Sequence, residues 1–564
     1  MQSKTKTLAV AVDLIDNLAG HEPSPKRMYT PGEVASMIDY FKSIGADRLY
    51  WMDDSWNALY DAPFGEAKNL MTFACNEAHK RGMTVDSVIK VFETGIHQIS
   101  MPLHLEPPSR ATRTNQGWHP LSAEFTAKHP EMLLEYRRRP ENHTGSDRLR
   151  RIRLVSDNDN ARSLTHKDIE ILWSGTNSMY RRYDGPVECS EVSDCGGRVL
   201  EWNGLDMPAE ARYILLRHRG KDDSGDFKNR ADLLLELHGS HGKLRSQQDQ
   251  GLAPLRPATI LTSGISFPEE TRAVLEDPRK CEQAFENHFV FDHSKGIGER
   301  KINIHGGYIC HTLDLNTHCA GGLHPCYPEV RSFWLDWVKR SLDAGVDGVG
   351  LRIANHSTRT SRPEDLGFNP PVMEEYSRRT GGHAGTDKTD FEMIRAINGE
   401  FYTRFVRECS ALVRERGCRF QHFIHPLMDG LWSRINSINN VPAAFRFDYR
   451  AWLREGLLDG LCLRPHWKDL KNTRYFGDMI GAQARLFGLK MFYANQNGAL
   501  NKSAADNQID EHIPGELAHV RKSDLFDGFI LYEAAGIMGF DETGTMHTSK
   551  KLERVIEEKW GNGN

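Results

Sequence analysis

The sequence predicts an α/β chain of the (β/α)8 TIM barrel type, with a large β-rich, sandwich-like domain inserted after the third strand. Three observations predict it. First, one phrase recurs along the 564 residues: a helix-like stretch, then Gly or Asp, then a short apolar strand ending in a charged or amide side chain. Clear copies are Gly45-Ala46-Asp47 before Arg48 to Asp53, Gly345-Val346-Asp347 before Gly348 to Arg352, and Gly417-Cys418 before Arg419 to His425. Leu458-Asp459 before Gly460 to Arg464 and Phe526-Asp527 before Gly528 to Glu533 are two more. Helices that end at Gly and feed buried strands make parallel βα units, and eight such units close into a barrel. Second, a plain barrel takes only about 250 residues. Third, the interval from about Glu93 to about Cys326 far exceeds a βα connection of about 2–6 residues.

Taken in order, the strands are Leu8–Leu14, Arg48–Met52, Thr84–Lys90, Val349–Ile353, Arg419–Ile424, Gly460–Arg464, Lys490–Ala494 and Gly528–Tyr532. Helices are expected over Pro31–Ser43, which opens on a first-turn Pro and stops before Gly45, and over Gly65–Arg81, which stops before Gly82. Pro328–Asp343 ends before Gly345, Asn398–Arg416 ends before Gly417, and Ser549–Trp560 closes the ring. The barrel therefore occupies 1–95 and 326–564. Residues 96–150 read as an irregular active-site loop, rich in Pro, Arg and His with weak periodicity. Residues 151–270 read as an inserted antiparallel β-domain: apolar and polar residues alternate in Val199-Leu200-Glu201-Trp202 and in Tyr213 to Arg217, and turn clusters such as Asp222 to Asp226 separate the runs. Residues 271–325 return to the barrel.

Composition narrows the function classes. With 39% hydrophobic and 26% charged residues the chain is an ordinary globular protein, and a net charge of -5 gives no case for nucleic-acid or anionic-membrane binding. Met1 to Thr7 runs into an apolar stretch interrupted at Asp13, which reads as a first strand rather than a signal peptide. No segment reaches the roughly 18 apolar residues of a membrane span. Ten cysteines without tight paired spacing point to reduced thiols and a cytoplasmic setting, with a trimmed secretion signal left open. A homo-oligomer is compatible with the sequence, and no cofactor is called for.

Barrel enzymes hold their working residues where strands end. One rim collects Asp13 and Asp16, Asp53 and Asp54, Lys90 and Glu93, then Arg352, Asn355 and His356. It continues with His422 and His425, Arg464 and His466, Asn495 and Gln496, and Glu533. For any one of these, the plainer reading is a strand end meeting solvent. The mixture of types around the whole ring is what points to chemistry. Carboxylates on the first two strands and the last supply acid, base or nucleophile, and glycosidic cleavage uses two carboxyl groups flanking the bond. Asp13 sits inside Val10-Ala11-Val12-Asp13-Leu14, and burying a carboxylate there costs several kcal/mol unless it is bonded or functional. Lys90, Arg352 and Arg464 suit a substrate with an acid group, such as a sialic or uronic acid, because guanidinium groups fork onto carboxylates. Arg110, Arg113 and Arg137 to Arg139 read more plainly as solvated surface.

Two groups of residues are weaker. His305, Cys310, His311, His318, Cys319, His324 and Cys326 lack the tight spacing of a zinc site, so they read as loop residues and no metal is assigned. Trp51, Trp56, Trp118 and Trp467 could stack on sugar faces, with core packing as the default.

Several strings carry a family resemblance. Asp61 to Gly95, Lys128-His129-Pro130-Glu131, His324-Pro325 with Pro328 to Arg331, Gly345 to Val349, and Phe447-Asp448 to Trp452 resemble the bacterial family-10-like glycosyl-hydrolase barrels. The ensemble also resembles the barrel family of inverting exo-sialidases. That resemblance implies Asp13 as base, His129 as acid, and Asn355 with Arg198 as holders of the substrate carboxylate. It implies an oligosaccharide or glycoconjugate substrate. Leu351-Arg352-Ile353-Ala354-Asn355 departs from the acidic strand end common in relatives, which favours anion binding there. Three other readings stay open: a glycosidase of different specificity using Glu533 with Asp53 or Asp54, a uronate polysaccharide lyase, and a non-catalytic carbohydrate-binding protein.

Overall fold

The computed structural model describes residues 6–14, 17, 25, 29–52, 63–92, 125, 128–135, 147–156, 165–175, 181–194, 197–218, 233–244, 246–248, 260–261, 290–291, 308–313, 318–353, 366–382, 388–424, 444–464, 470–495, 509 and 512–561. Eight strands pair in chain order into a closed barrel. They are β1 (Thr7–Val12), β2 (Arg48–Met52), β3 (Thr84–Ile89), β4 (Gly348–Arg352), β5 (Arg419–Ile424), β6 (Gly460–Leu463), β7 (Lys490–Ala494) and β8 (Gly528–Tyr532). Every neighbouring pair is parallel, including β8 with β1. Each expected strand is present within two residues of its expected bounds.

Period-two alternation divides each strand between two environments. Ala9, Ala11, Tyr50, Met52, Val88, Phe423, Cys462, Phe492, Ala494, Ile530 and Tyr532 pack together inside the barrel. Their neighbours, such as Val10, Leu49, Trp51, Ile89, Leu351, Leu461 and Leu531, face outward into the layer between strands and helices. Trp51 is thus a core residue. So is His422, which follows the outward parity of β5 and is fully buried, away from the rim where the sequence suggested it.

The helices obey their local signals with two instructive exceptions. Helix α1 (Pro31–Ser43) has a full capping box: the Glu33 N–H donates to Thr30 Oγ1 at 3.2 Å and the Thr30 N–H to Glu33 Oε2 at 2.6 Å. It stops at Gly45, whose φ of +89° only glycine adopts freely. Helix α2 spans Leu70–Lys80, beginning later than Gly65 because Asn69 caps it by accepting the Thr72 N–H at 2.8 Å. Helix α3 covers Pro328–Asp343, and α4 covers Pro370–Thr380.

Helix α5 covers Lys388–Glu415, ten residues before the expected start at Asn398. Asn398-Gly399 looks like a helix opening, yet both residues serve tertiary contacts inside the helix. The Asn398 amide donates to the Ala444 carbonyl at 2.8 Å, and a Cβ on Gly399 would lie 1.8 Å from the Arg446 carbonyl oxygen. Only glycine allows that approach. The circuit continues through α6 (Tyr449–Arg454), α7 (Leu470–Leu486) and α8 (Ile513–Lys522) to α9 (Lys550–Lys559), which closes the ring near the expected place.

Between β3 and β4 lie two five-stranded antiparallel sheets. One takes Ser246–Gln248, Tyr308–Leu313, Tyr213–His218, Ile169–Ser174 and Arg181–Arg182; the other takes Gly242–Lys243, Leu233–Gly239, Arg151–Ser156, Gly197–Asn203 and Glu188–Asp194. Ile152, Leu200, Trp202 and Leu235 of the second sheet share one core with Ile169, Ile171, Ile214 and Leu216 of the first, which makes a sandwich. Tyr308–Leu313, from the segment read as a return to the barrel, sits inside the first sheet between two partners. His318–Leu323 then pairs with Leu133–Glu135, so the two ends of the insertion meet.

The recurring Asp of the sequence has a structural reason. Asp47, Asp347, Asp459 and Asp527 stand just before the even strands, and their N–H groups donate to the carbonyls of Leu8, Val85, Phe420 and Met491 at 2.7–2.9 Å. Those four are the second residues of the odd strands. Three of the carboxylates also accept the N–H of the same residue: Asp347 from Val85 at 2.8 Å, Asp459 from Phe420 at 2.8 Å, and Asp527 from Met491 at 2.9 Å. The Asp47 side chain instead pairs with Lys42 at 2.9 Å. Finally, the four Asp carbonyls accept the first N–H of the next odd strand: Thr84, Arg419, Lys490 and Thr7. The N-terminal rim is a closed fourfold ring of backbone and carboxylate bonds.

Two fully buried histidines hold the outer layer. The Tyr402 hydroxyl donates to His422 Nε2 at 2.9 Å, and His422 Nδ1–H donates to the Phe423 carbonyl at 3.0 Å. His324 accepts the Cys326 N–H on Nδ1 at 3.0 Å and donates from Nε2 to Asn398 Oδ1 at 3.0 Å. Both ring nitrogens of each are therefore committed, and burial lowers both pKa values to about 3.

Asp459→Ala should cost about 1–3 kcal/mol, the penalty of leaving a buried amide without its acceptor. Hydrogen exchange should show faster exchange at the Phe420 amide, with the remaining three corners of the ring unchanged. The histidines set an acid limit. Their folded values lie below the ordinary value near 6.5, so the stability they contribute is complete above about pH 6.5 and is lost as pH falls toward 3, by up to about 1.4 kcal/mol per pH unit for each ring. His422→Gln, lacking a titrating ring, should lower the thermal midpoint at pH 7 yet flatten its dependence on pH across that window.

Candidate active site

The ring at one end of the barrel fixes what emerges at the other. Five residues beyond each even-strand Asp (47 to 52, 347 to 352, 459 to 464, 527 to 532) stand Met52, Arg352, Arg464 and Tyr532. Five beyond the clamped odd-strand residues Leu8 and Val85 stand Asp13 and Lys90. Layers of four side chains from alternate strands are the packing rule of such barrels. Here this even-strand layer carries two arginines and a tyrosine beside Met52, where an ordinary layer is aliphatic.

Its members touch. Arg352 Nη1 donates to the Tyr532 hydroxyl at 2.8 Å and lies 3.9 Å from Met52 Sδ. The Arg464 guanidinium carbon stands 3.7 Å from the centroid of the Tyr532 ring, a close cation–π stack, and that of Arg352 stands 5.5 Å from it. Tyr532 is itself held by Asn495, whose Oδ1 accepts the Tyr532 N–H at 2.6 Å and whose Nδ2 donates to the Tyr532 carbonyl at 2.7 Å. Asn495, expected as a substrate ligand, thus has a defined positioning task.

From the odd strands, Lys90 Nζ meets Asp13 Oδ2 at 3.3 Å, with side-chain exposures of only 1% and 5%. This answers how Asp13 is tolerated among apolar neighbours: the buried carboxylate has a cation taken out of water beside it. Glu533 follows Tyr532 through a cis peptide bond and is also buried. Its Oε2 has no hydrogen-bond partner among the described residues. Burial holds the Tyr532 hydroxyl well above the ordinary phenol range; Arg352 and Lys90 oppose the shift, and Glu533 and Asp13 reinforce it. Four charges thus act on one phenol, which stays protonated.

Beneath this layer the barrel is filled and tied down. The Tyr50 hydroxyl donates to Gln421 Oε1 at 2.9 Å, and Cys462 Sγ lies 3.2 Å from the same oxygen. Lower still, Asp86 meets Arg419 at 2.7 Å and Arg48 at 3.5 Å. The mouth therefore has a rigid floor.

The structure groups Asp13, Lys90, Arg352, Arg464, Asn495 and Glu533 of the expected site, and adds Met52 and Tyr532. The parity of β8, with Ile530 inward, was the signal for Tyr532. Two expected residues are placed otherwise. Arg198 lies on the Gly197–Asn203 strand and forks onto Glu191 at 2.6 and 2.7 Å, so its guanidinium is engaged on the sandwich sheet. His129 is half-exposed, tilted against Phe125 at 4.6 Å with Nδ1 3.4 Å from Glu131; its contacts are with that segment rather than with Asp13. Asp53, Glu93, Asn355, His356 and His425 lie outside the described residues, as do Asp16, Asp54, His466 and Gln496.

No family model matches the chain, and no curated protein does. Among solved structures it is similar to the catalytic domain of beta-amylase from Paenibacillus polymyxa, at 8% identity and a TM-score of 0.38 over 99% of this chain and 98% of that one. It is also similar to the trehalose-6-phosphate hydrolase of Bacillus licheniformis, at 10% identity and a TM-score of 0.36 over 93% of this chain and 64% of that one. Likeness at these levels says nothing of what this chain does, and the barrel is established by its own strand pairing.

The Asp13–Lys90 pair yields a stability prediction. Lys90→Met should destabilise the protein by about 3–5 kcal/mol, because it strips a buried carboxylate of its ionic partner. Asp13→Asn combined with Lys90→Met should recover much of that loss. Urea unfolding of both variants and the parent checks the pair.

Proposed function

We propose that the chain is a glycoside hydrolase whose reaction takes place at the C-terminal mouth of the barrel, on a carbohydrate bearing an acid group. The observation that carries this reading is the buried Asp13–Lys90 pair set beside two arginines gathered on Tyr532. A carboxylate that works as a base must stay ionised in a dry cavity, and Lys90 supplies that condition for Asp13. A second carboxyl group at the end of the adjacent strand, Glu533, completes the two-carboxyl equipment that glycosidic cleavage uses. Arg352 and Arg464 are the natural partners for a carboxylate on the sugar, since planar guanidinium groups match its geometry. A pocket for neutral sugars would gain little from two buried guanidinium groups.

In the finer form of the proposal the enzyme is an inverting exo-sialidase, the reading the sequence resemblance supports. Asp13 draws a proton from water as that water attacks the anomeric carbon, and Glu533 protonates the departing oxygen. Arg352, Arg464 and Asn355 hold the substrate's carboxylate. Both carboxylates act from strand ends seated on a packed floor, so they need little reorganisation as the bond breaks.

A panel of aryl glycosides, acidic and neutral, tests the class. Release of the aryl group from an α-sialoside or a β-glucuronide, with neutral substrates much slower, is the expected result. Products that absorb in the ultraviolet as unsaturated uronates would instead mean a lyase. Asp13→Asn should lower kcat by about 10²–10⁴-fold, the usual worth of a general acid–base group. Near-parental turnover in that variant would remove Asp13 from the mechanism. Proton NMR of the first-formed anomer separates inversion from retention.

A further inference from the structure

We propose that Tyr532 is the positioning residue of an anion subsite, its ring face fixing Arg464 and its hydroxyl fixing Arg352 so that the two guanidinium groups act together on one carboxylate. The inference rests on the acidic-substrate reading above and assigns to that site a residue which the sequence did not single out.

The geometry is specific. Two arginines from β4 and the end of β6 reach the same ring from different sides of the barrel, one by a 2.8 Å hydrogen bond to the phenol and one by a 3.7 Å stack on its face. Two like charges brought this close repel each other, and the repulsion is strongest where water is excluded. The π-face and the phenol oxygen are both electron-rich and oppose that repulsion. The Tyr532 backbone is held, because Asn495, the residue after β7, bonds both its N–H and its carbonyl. Tyr532 cannot act as a base, since burial keeps its hydroxyl protonated. A residue with a fixed backbone, a protonated hydroxyl and two cationic neighbours is suited to holding the receptors of an anion.

The ring and the hydroxyl can be separated by mutation. Tyr532→Phe keeps the face that carries Arg464 and removes the partner of Arg352; Tyr532→Leu removes both. The measurement is calorimetric binding of N-acetylneuraminic acid and of glucuronic acid, each against its methyl ester, with thermal unfolding to confirm that the variants fold. The acid-to-ester affinity ratio reads recognition of the charge, which general loosening of the barrel would not change selectively. The parent protein should prefer at least one acid to its ester. Tyr532→Phe should narrow that preference by about tenfold, the worth of one hydrogen bond to a charged group, and Tyr532→Leu should narrow it further. In an Arg352→Met background the Tyr532→Phe change should have no additional effect, because the two residues act as a unit. If the parent prefers an acid and both folded variants keep the full preference, the role given to Tyr532 is wrong and the acidic-substrate reading stands. If the parent discriminates neither acid from its ester, there is no anion subsite and both readings fall.

Discussion

Much of this structure depends on the fourfold ring of hydrogen bonds at the N-terminal rim. Asp47, Asp347, Asp459 and Asp527 each join the strand before them to the strand after, and the last closes onto the first through the Thr7 N–H. In a parallel sheet buried on both faces, apolar pattern alone leaves register weakly specified, because both faces of every strand are hydrophobic. A slip of one residue exchanges the two faces. The ring removes that freedom: an Asp that binds both polar groups of one residue on its neighbour accepts one register and no other. The constant spacing of five from ring to mouth is the consequence, and it delivers Met52, Arg352, Arg464 and Tyr532 to a common level.

The mouth is costly in electrostatic terms. Lys90, Arg352, Arg464, Asp13 and Glu533 are all buried. Such an arrangement persists when charges are paired or stacked and the scaffold is held by other forces. Asp13 and Lys90 pair, while Arg352 and Arg464 share Tyr532. The apolar layer around the barrel supplies the holding force, with the uncharged His422 and His324 as its polar pins. The same scaffold that tolerates the charges also prevents them from collapsing onto one another.

The strands were readable because the Gly-or-Asp punctuation and the apolar runs are both local. The helices were readable where caps decide their ends, as at Thr30 and Gly45. They were misread where a residue answers to a distant segment. Asn398-Gly399 imitates a helix start but serves Ala444 and Arg446 on another loop. Tyr308–Leu313 reads locally as a connection because its strand character is completed by partners far away in sequence. At the barrel mouth, polarity at strand ends marks Asp13, Lys90, Arg352, Arg464 and Glu533, which the structure brings together. It also proposed His422, which satisfies both its nitrogens under the helices, and it passed over Tyr532, which looks apolar.

The sequence by itself determined the barrel, the position of the insertion and the set of charged residues at strand ends, because short-range periodicity and chain punctuation carry that information. Only the tertiary structure decided which of those charges meet. Whether Lys90 answers Asp13, whether two arginines converge on one tyrosine, and whether the Arg198 guanidinium is engaged by Glu191 depend on pairing and register between strands that no single segment contains. Those are set by the summed geometry of the ring, and no local segment of the chain contains it.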